Sequence, residues 1–196
     1  MEYMQNAETN KIRDVELVQR TLKNADDFIE IVCCYQSPIR RYIIRLGCRD
    51  SNDADDLLQD IFLKVYINLN DYDSELPFSS WLYRIAHNET VSFFRKKSVR
   101  PISVATEEET HLFENIADET NFIESLDVKI NGDILRKALT ELEEQYRDVL
   151  VLRFFEEKSY NEISDILKIP MGTVGTLINR GKKQFKDILI QKNINL

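Results

Sequence analysis

The amino-acid sequence predicts an all-α protein: two small helical domains, an N-terminal helical bundle and a C-terminal helix-turn-helix, joined by an acidic linker. Three observations carry that prediction. Glycine and proline are scarce, five and four in 196 residues, too few turn formers for a β-sandwich. Apolar residues recur at helical spacing through both ends of the chain. Between those ends, residues 101–133 hold nine acids and one lysine, a net charge equal to the −8 of the whole chain. The flanking parts are neutral overall and locally basic.

Periodicity places the first helices near 12–23 and 25–47, behind an N-terminal tail of residues 1–11 with no secretory apolar segment. A third helix, near 53–69, contains DADDLLQDIFLKVY. Its Leu57, Leu58, Ile61, Phe62 and Val65 share one face and point to a core. Asp53, Asp56 and Asp60 line the other side, with Gln59 and Leu63 at its edge. Acids in a first turn complement the helix dipole, which accounts for Asp53, Asp55 and Asp56. Asp60 and an outward Leu63 have no such explanation, and an acidic stripe with an apolar edge suits docking of a basic protein partner.

A fourth helix, near 78–97, carries WLYRIAHNETVSFFR, the start of a stretch that holds the only tryptophan and gathers five Lys or Arg against one acid over residues 81–100. Leu82, Ile85, Ala86 and Phe93 fall on one side. Trp81, Arg84, Asn88, Ser92 and Arg95 converge on another, flanked by Tyr83, His87 and Phe94. Arginine, an amide and an aromatic together hold unstacked bases: flat groups for the base face, the amide for its edge, cations for phosphates. Trp81 fits a core position equally well. The polar loop before it, NDYDSELPFSS, is placed to close over a flipped base.

Residues 99–132 then read as a linker, with Pro101 near its head and no sustained helical stripe; like charges should keep it extended. Some of its apolar residues, Leu112, Phe113, Ile116, Phe122 and Ile123, are candidates for docking on a surface. The first domain therefore spans 12–98 and the second 133–196.

In the second domain, helices are expected near 133–142, 143–157, 159–168 and 171–190. Ser159-Tyr-Asn-Glu162 fits a capping box, and Pro170 suits the first turn of the last helix. The last two helices flank a tight Lys-Ile-Pro turn, the pattern of a helix-turn-helix. Ile163, Ile166 and Leu167 face inward from the first of them. Met171, Val174, Ile178 and Phe185 share one face of the second, with Gly181 where backbones approach closely. The opposite face presents Gly172, Thr173, Thr176, Asn179, Arg180 and Lys183. Small and polar residues at the front let a helix sit deep in a major groove, and cations behind them grip phosphate.

Several classes are disfavoured. VLVLRFF is cut by Arg153, so no apolar run approaches the ~18 residues of a membrane span. Three cysteines (Cys33, Cys34, Cys48) without CxxC spacing read as buried thiols, and two isolated histidines complete no metal set. There is no phosphate-binding glycine loop, GxSxG or HExxH. Neither enzyme nor cofactor protein is expected, and the chain is expected in the cytoplasm.

The three blocks in this order, DADDLLQDIFLKVY, FSSWLYRIAHNETVSFFR and LTELEEQYRDVLVLRFFEEKSYNEISDILKIPMGTVGTLINRGKK, resemble bacterial RNA polymerase sigma factors of the extracytoplasmic-function type. The resemblance implies a specificity subunit that binds core RNA polymerase and opens promoters. It assigns Asp56, Gln59, Asp60 and Leu63 to docking on the polymerase clamp. Arg84, Asn88 and Ser92 match positions that read the minus-ten element as a separated strand. Thr173, Thr176 and Arg180 match positions that read the minus-thirty-five element as duplex. It implies an anti-sigma partner as well, for which the apolar linker residues are a candidate surface. Ser92 stands where the family often has Asp, and Gly175 and Leu177 where it usually has Lys or Arg. Two rivals differ in kind: a stand-alone helix-turn-helix regulator, which would dimerise on a palindrome although no dimerising heptad is evident, and a pure interaction protein whose DNA contacts are lost.

Overall fold

The computed structural model describes the backbone of residues 2–97 and 132–192, and side chains within 13–97 and 135–192. Nearly all of the acidic linker, including Leu112, Phe113, Ile116, Phe122 and Ile123, lies outside the described residues. The described elements are helices and 3-10 turns: α1 (Glu2–Lys23), α2 (Phe28–Arg45), α3 (Ser51–Ile67) and α4 (Phe78–Lys97), then α5 (Gly132–Glu141), α6 (Glu144–Phe154), α7 (Tyr160–Leu167) and α8 (Met171–Gln191). They fall into two compact units, α1–α4 and α5–α8.

In the first unit, α1 begins ten residues earlier than expected, so the backbone of 2–11 is helix and not tail. No glycine or proline interrupts MEYMQNAETNK, and nothing stops the helix from continuing upstream. Asn24 then ends α1 and caps a 3-10 turn over Ala25–Asp27, accepting from the Asp26 N–H at 3.4 Å. The expected 25–47 helix thereby starts only at Phe28. It tolerates Pro38 inside and stops before Gly47, whose φ of 118° is open to glycine alone at low cost. Asp50 caps α3, accepting from the N–H groups of Asn52 (2.8 Å) and Asp53 (3.1 Å). Ile31, Ile39, Tyr42 and Ile43 of α2, Leu57, Ile61, Phe62 and Val65 of α3, and Phe78, Leu82 and Ala86 of α4 form the core. Leu58, expected with them, is half-buried.

The cysteines depart from expectation. Cys48 is buried, but Cys33 is exposed and Cys34 half-buried, with its sulfur accepting from Arg13 Nη2 at 3.3 Å. Adjacent residues on a helix sit about 100° apart, so both cannot face one core.

In the second unit α8 packs on α5, α6 and α7, and α6 also meets α7. Val149, Leu150, Val151 and Leu152 are all buried, the apolar-all-round pattern of a helix covered on several sides. Glu157 (φ 52°) and Lys168 (φ 56°) adopt left-handed backbone at the two turns bounding α7. The capping box is present: Ser159 Oγ accepts from the Glu162 N–H, and Glu162 Oε2 accepts from the Ser159 N–H at 2.9 Å. Pro170 sits at the cap position of α8 rather than inside its first turn.

Two glycines of α8 predict opposite outcomes. A Cβ at Gly181 would lie 3.2 Å from both Leu150 Cγ and Tyr146 Cβ, and the latter moves only with the α6 backbone. Gly181→Ala is expected to lower stability by about 1–3 kcal/mol. At Gly175 the added methyl would meet the Tyr160 ring at an ordinary 3.6 Å. Gly175→Ala should therefore stabilise by the helix-propensity difference, roughly 0.8–1.0 kcal/mol. Urea denaturation of the two variants checks both signs.

Candidate docking and nucleic-acid interfaces

On α3 the capping Asp50 and its neighbours account for the early acids. Asp53 pairs with Lys97, and Asp55 accepts from Arg40 Nε at 2.7 Å. The Arg40 guanidinium holds the Asp55 carboxyl below the usual carboxylate range. Asp56, Gln59 and Asp60 are exposed and, among the described residues, Asp56 and Asp60 make no ion pair. Leu63 follows on the same face at 57% exposure. Ile67, one turn further, is 63% exposed, with Tyr66 beside it. Tyr66 and Ile67 were missed in the sequence, although Ile67 carries the +4 spacing from Leu63. The stripe is thus apolar at its C-terminal end and acidic at its start.

The α4 helix divides the predicted base-reading residues. Asn88 and Arg95 are exposed, Arg84 and Ser92 half-buried. Trp81 needs correction: it is only 5% exposed and packs against Tyr72 and Phe78, each with ring centroids 5.7 Å away. A ring covered on that scale has no free face for a base. The same holds for Tyr83, buried edge-on against Tyr42, whose hydroxyl lies 3.1 Å from His87 Nδ1. Phe93 and Phe94 are half-buried and contact each other. Most aromatics of this stretch are packing.

A shallow groove of about 290 Å³ runs along α4. Trp81, Arg84, Ile85, Asn88 and Glu89 form its α4 wall, Lys64 and Asn68 come from the end of α3, and Asp71 from the 3-10 turn Leu69–Asp71. It brings together Trp81, Arg84 and Asn88 of the predicted set; Ser92 and Arg95 lie outside its lining. Lys64, Asn68, Asp71 and Glu89 were not predicted. The loop that follows is internally tied, with Tyr72 donating to the Leu76 carbonyl at 2.7 Å and the Glu75 N–H to Asp73 Oδ1 at 2.9 Å.

On α8, Val174, Ile178, Gly181, Phe185 and Leu189 face inward. Gly172, Thr173, Asn179, Arg180 and Lys183 are exposed and Thr176 half-buried, its hydroxyl donating to the Gly172 carbonyl at 3.1 Å. Met171, expected inward, is 46% exposed. It is the first helical residue, and its side chain leans toward the N-terminal cap instead of over the core. Among the described residues no three His, Cys, Asp or Glu gather as a metal site, and no helix is long and apolar enough to cross a membrane.

Residues 31–100 match the family model for Sigma-70 region 2, and residues 132–185 that for Sigma-70 region 4. The ECF RNA polymerase sigma factor SigW of Bacillus subtilis is 33% identical over 171 residues, covering 83% of this chain and 91% of that protein. The chain belongs to the sigma-70 family, in its extracytoplasmic-function group. The RNA polymerase sigma-H factor of Pseudomonas aeruginosa is likewise 33% identical, over 86% of this chain and 88% of its own. Among solved structures, CnrH in complex with the cytosolic domain of CnrY shares the fold, with a TM-score of 0.66 at 20% identity, covering 93% of this chain and 97% of that one. This sigma factor directs core RNA polymerase to promoters for transcription initiation. The stand-alone regulator is not favoured, since both sigma regions are matched in order.

Proposed function

We propose that this sigma factor divides initiation among three surfaces. Asp56, Gln59, Asp60 and Leu63 of α3, extended by Tyr66 and Ile67, dock core polymerase. Arg84, Asn88, Ser92 and Arg95 of α4 hold the separated strand of the minus-ten element, with Trp81 supporting the wall from within. Gly172, Thr173, Thr176, Asn179, Arg180 and Lys183 of α8 read the minus-thirty-five duplex. The first helical unit then serves as region 2 and the second as region 4. The observation that carries the reading is the α3 stripe: two exposed carboxylates that make no ion pair among the described residues, beside an apolar edge of Leu63, Tyr66 and Ile67 left in water.

The protein does no covalent chemistry and works in the cytoplasm. Strand opening comes from capturing unstacked bases, against unpairing costs of a few kcal/mol each. An anti-sigma protein is its regulator, a reading supported by the structural relative RpoE of Bartonella quintana, solved in complex with the anti-sigma factor NepR. The chain's net charge of −8 leaves the polymerase to supply most of the phosphate grip, so the free chain should bind DNA weakly. Mixing it with core polymerase and mapping transcript starts across a genomic library tests the whole. Discrete new start sites are expected; tight duplex binding by the free chain with no response from polymerase would overturn the reading.

A further inference from the structure

The start of α8 carries no charge. From Met171 to Asn179 the helix reads MGTVGTLIN, and its first cation is Arg180. At 1.5 Å per residue, that guanidinium joins the helix about 14 Å along the axis from its first residue. The commonest base-specific contact, a bidentate Arg or Lys on guanine, therefore has no donor of its own in these first turns. Thr176, half-buried there, has turned its hydroxyl away: Oγ1 donates to the Gly172 carbonyl at 3.1 Å. That spends its only hydrogen on its own helix. Position 176 lies about 160–200° around the helix from the buried Val174 and Ile178. With the hydroxyl folded back, the γ-methyl is what Thr176 offers to a partner. Gly172 stands one turn earlier on the same side. A Cβ at Gly181 would press on Leu150 and Tyr146, whereas one at Gly172 would meet nothing within 4 Å. The fold does not need a glycine at 172, and its missing side chain leaves open space beside the Thr176 methyl.

We infer that Thr176 is a specificity residue that reads one thymine of the duplex element through that base's C5-methyl group, which enters the space beside Gly172. This rests on the proposal that α8 reads the minus-thirty-five duplex. In the major groove the base edges present hydrogen-bond donors and acceptors, and the thymine methyl is the one bulky apolar group among them. A side chain whose hydrogen is already bonded gains nothing from facing a base acceptor. A methyl set against an amino group strips that donor of water and returns no bond. Methyl against methyl sheds water from both, and no donor is left unpaired. Arg180, one turn beyond Thr176, shares this side of the helix. Its guanidinium meets the same polar edge on uracil as on thymine, so a preference for thymine over uracil belongs to the methyl contact alone.

The test uses holoenzyme and a duplex fragment of a promoter it is shown to use, with each thymine of the minus-thirty-five element, on either strand, replaced in turn by deoxyuridine. For the unaltered protein, one position should lose about fourfold in affinity, the worth of one buried methyl. Thr176→Ser keeps the hydroxyl and removes the methyl, so the difference between thymine and uracil at that position should vanish. Thr176→Val keeps a methyl and drops the hydroxyl, and should preserve it. Gly172→Ala fills the open space without touching the fold. It should weaken binding to the thymine fragment more than to its uracil counterpart, with no fall in melting temperature. A uracil penalty of the same size in Thr176→Ser would overturn the assignment. So would a scan with no penalty at any thymine while base-pair changes in the same element still weaken binding. If those base-pair changes and Arg180→Ala also leave binding untouched, α8 is not the reading helix, and the inference falls with that proposal.

Discussion

Leu63→Lys is expected to weaken binding to core polymerase at least about a hundredfold without lowering the melting temperature. Leu63 is 57% exposed, so its replacement costs the fold little. At a docked interface the same change desolvates a cation, and if the partner is basic, as the exposed carboxylates of Asp56 and Asp60 imply, it sets like charges together at a cost of several kcal/mol. Asp60→Ala removes only attraction and should show a smaller loss that fades at high salt. Asn88→Ala supplies the opposite pattern: polymerase affinity is retained while permanganate reactivity of unpaired minus-ten thymines is lost. Equal polymerase affinity for Leu63→Lys and the unaltered chain would remove α3 from the interface.

The second large effect is a pH dependence seated in α6. Asp148 is buried, and burial pushes its carboxyl up to about 7, against the opposing pull of Arg147 and with the help of Glu144. Arg147 Nε lies 3.9 Å from Asp148 Oδ1 and, among the described residues, is itself buried without a hydrogen-bond partner, so its pull on the carboxylate is weaker than the desolvation. The native state therefore holds a proton that the unfolded chain, titrating near the ordinary carboxylate value, has released. Stability is fully present below about pH 4 and falls as pH rises to about 7, where the native carboxyl ionises. The loss amounts to a few kcal/mol, which at about 4–8 °C per kcal/mol is on the order of 10 °C for a domain of this size. Asp148→Asn removes the titration, so its second-unit transition should exceed that of the unaltered protein at pH 8 and approach it near pH 5. Parallel melting curves across that range would show that Asp148 is not the group responsible.

Much of the chain was legible because its signals are local. The Ser159–Glu162 capping box, the Leu57–Ile61–Val65 face and the Val174–Ile178–Phe185 face each depend on residues within a few turns of one helix. Trp81 was not, because residue 81 falls between the core stripe and the Arg84–Asn88 stripe. Its burial depends on Tyr72 and Phe78 folding against it. Met171 was misplaced because periodicity assumes a full helix around each residue, and the first residue of α8 has none before it.

By itself, the order of residues determined the helical composition, the two-part division of charge, the outward Asp60 and Leu63, and the small-polar front of α8. Helical period alone decides which side chains share a face. Only tertiary structure decided which shared faces meet. Lys64 and Glu89 are 25 residues apart, and no periodicity relates them. Packing of α3 on α4 brings the ammonium to the carboxylate and turns a basic stretch of sequence into a groove of balanced charge, while Tyr72 and Phe78 close Trp81 away from solvent.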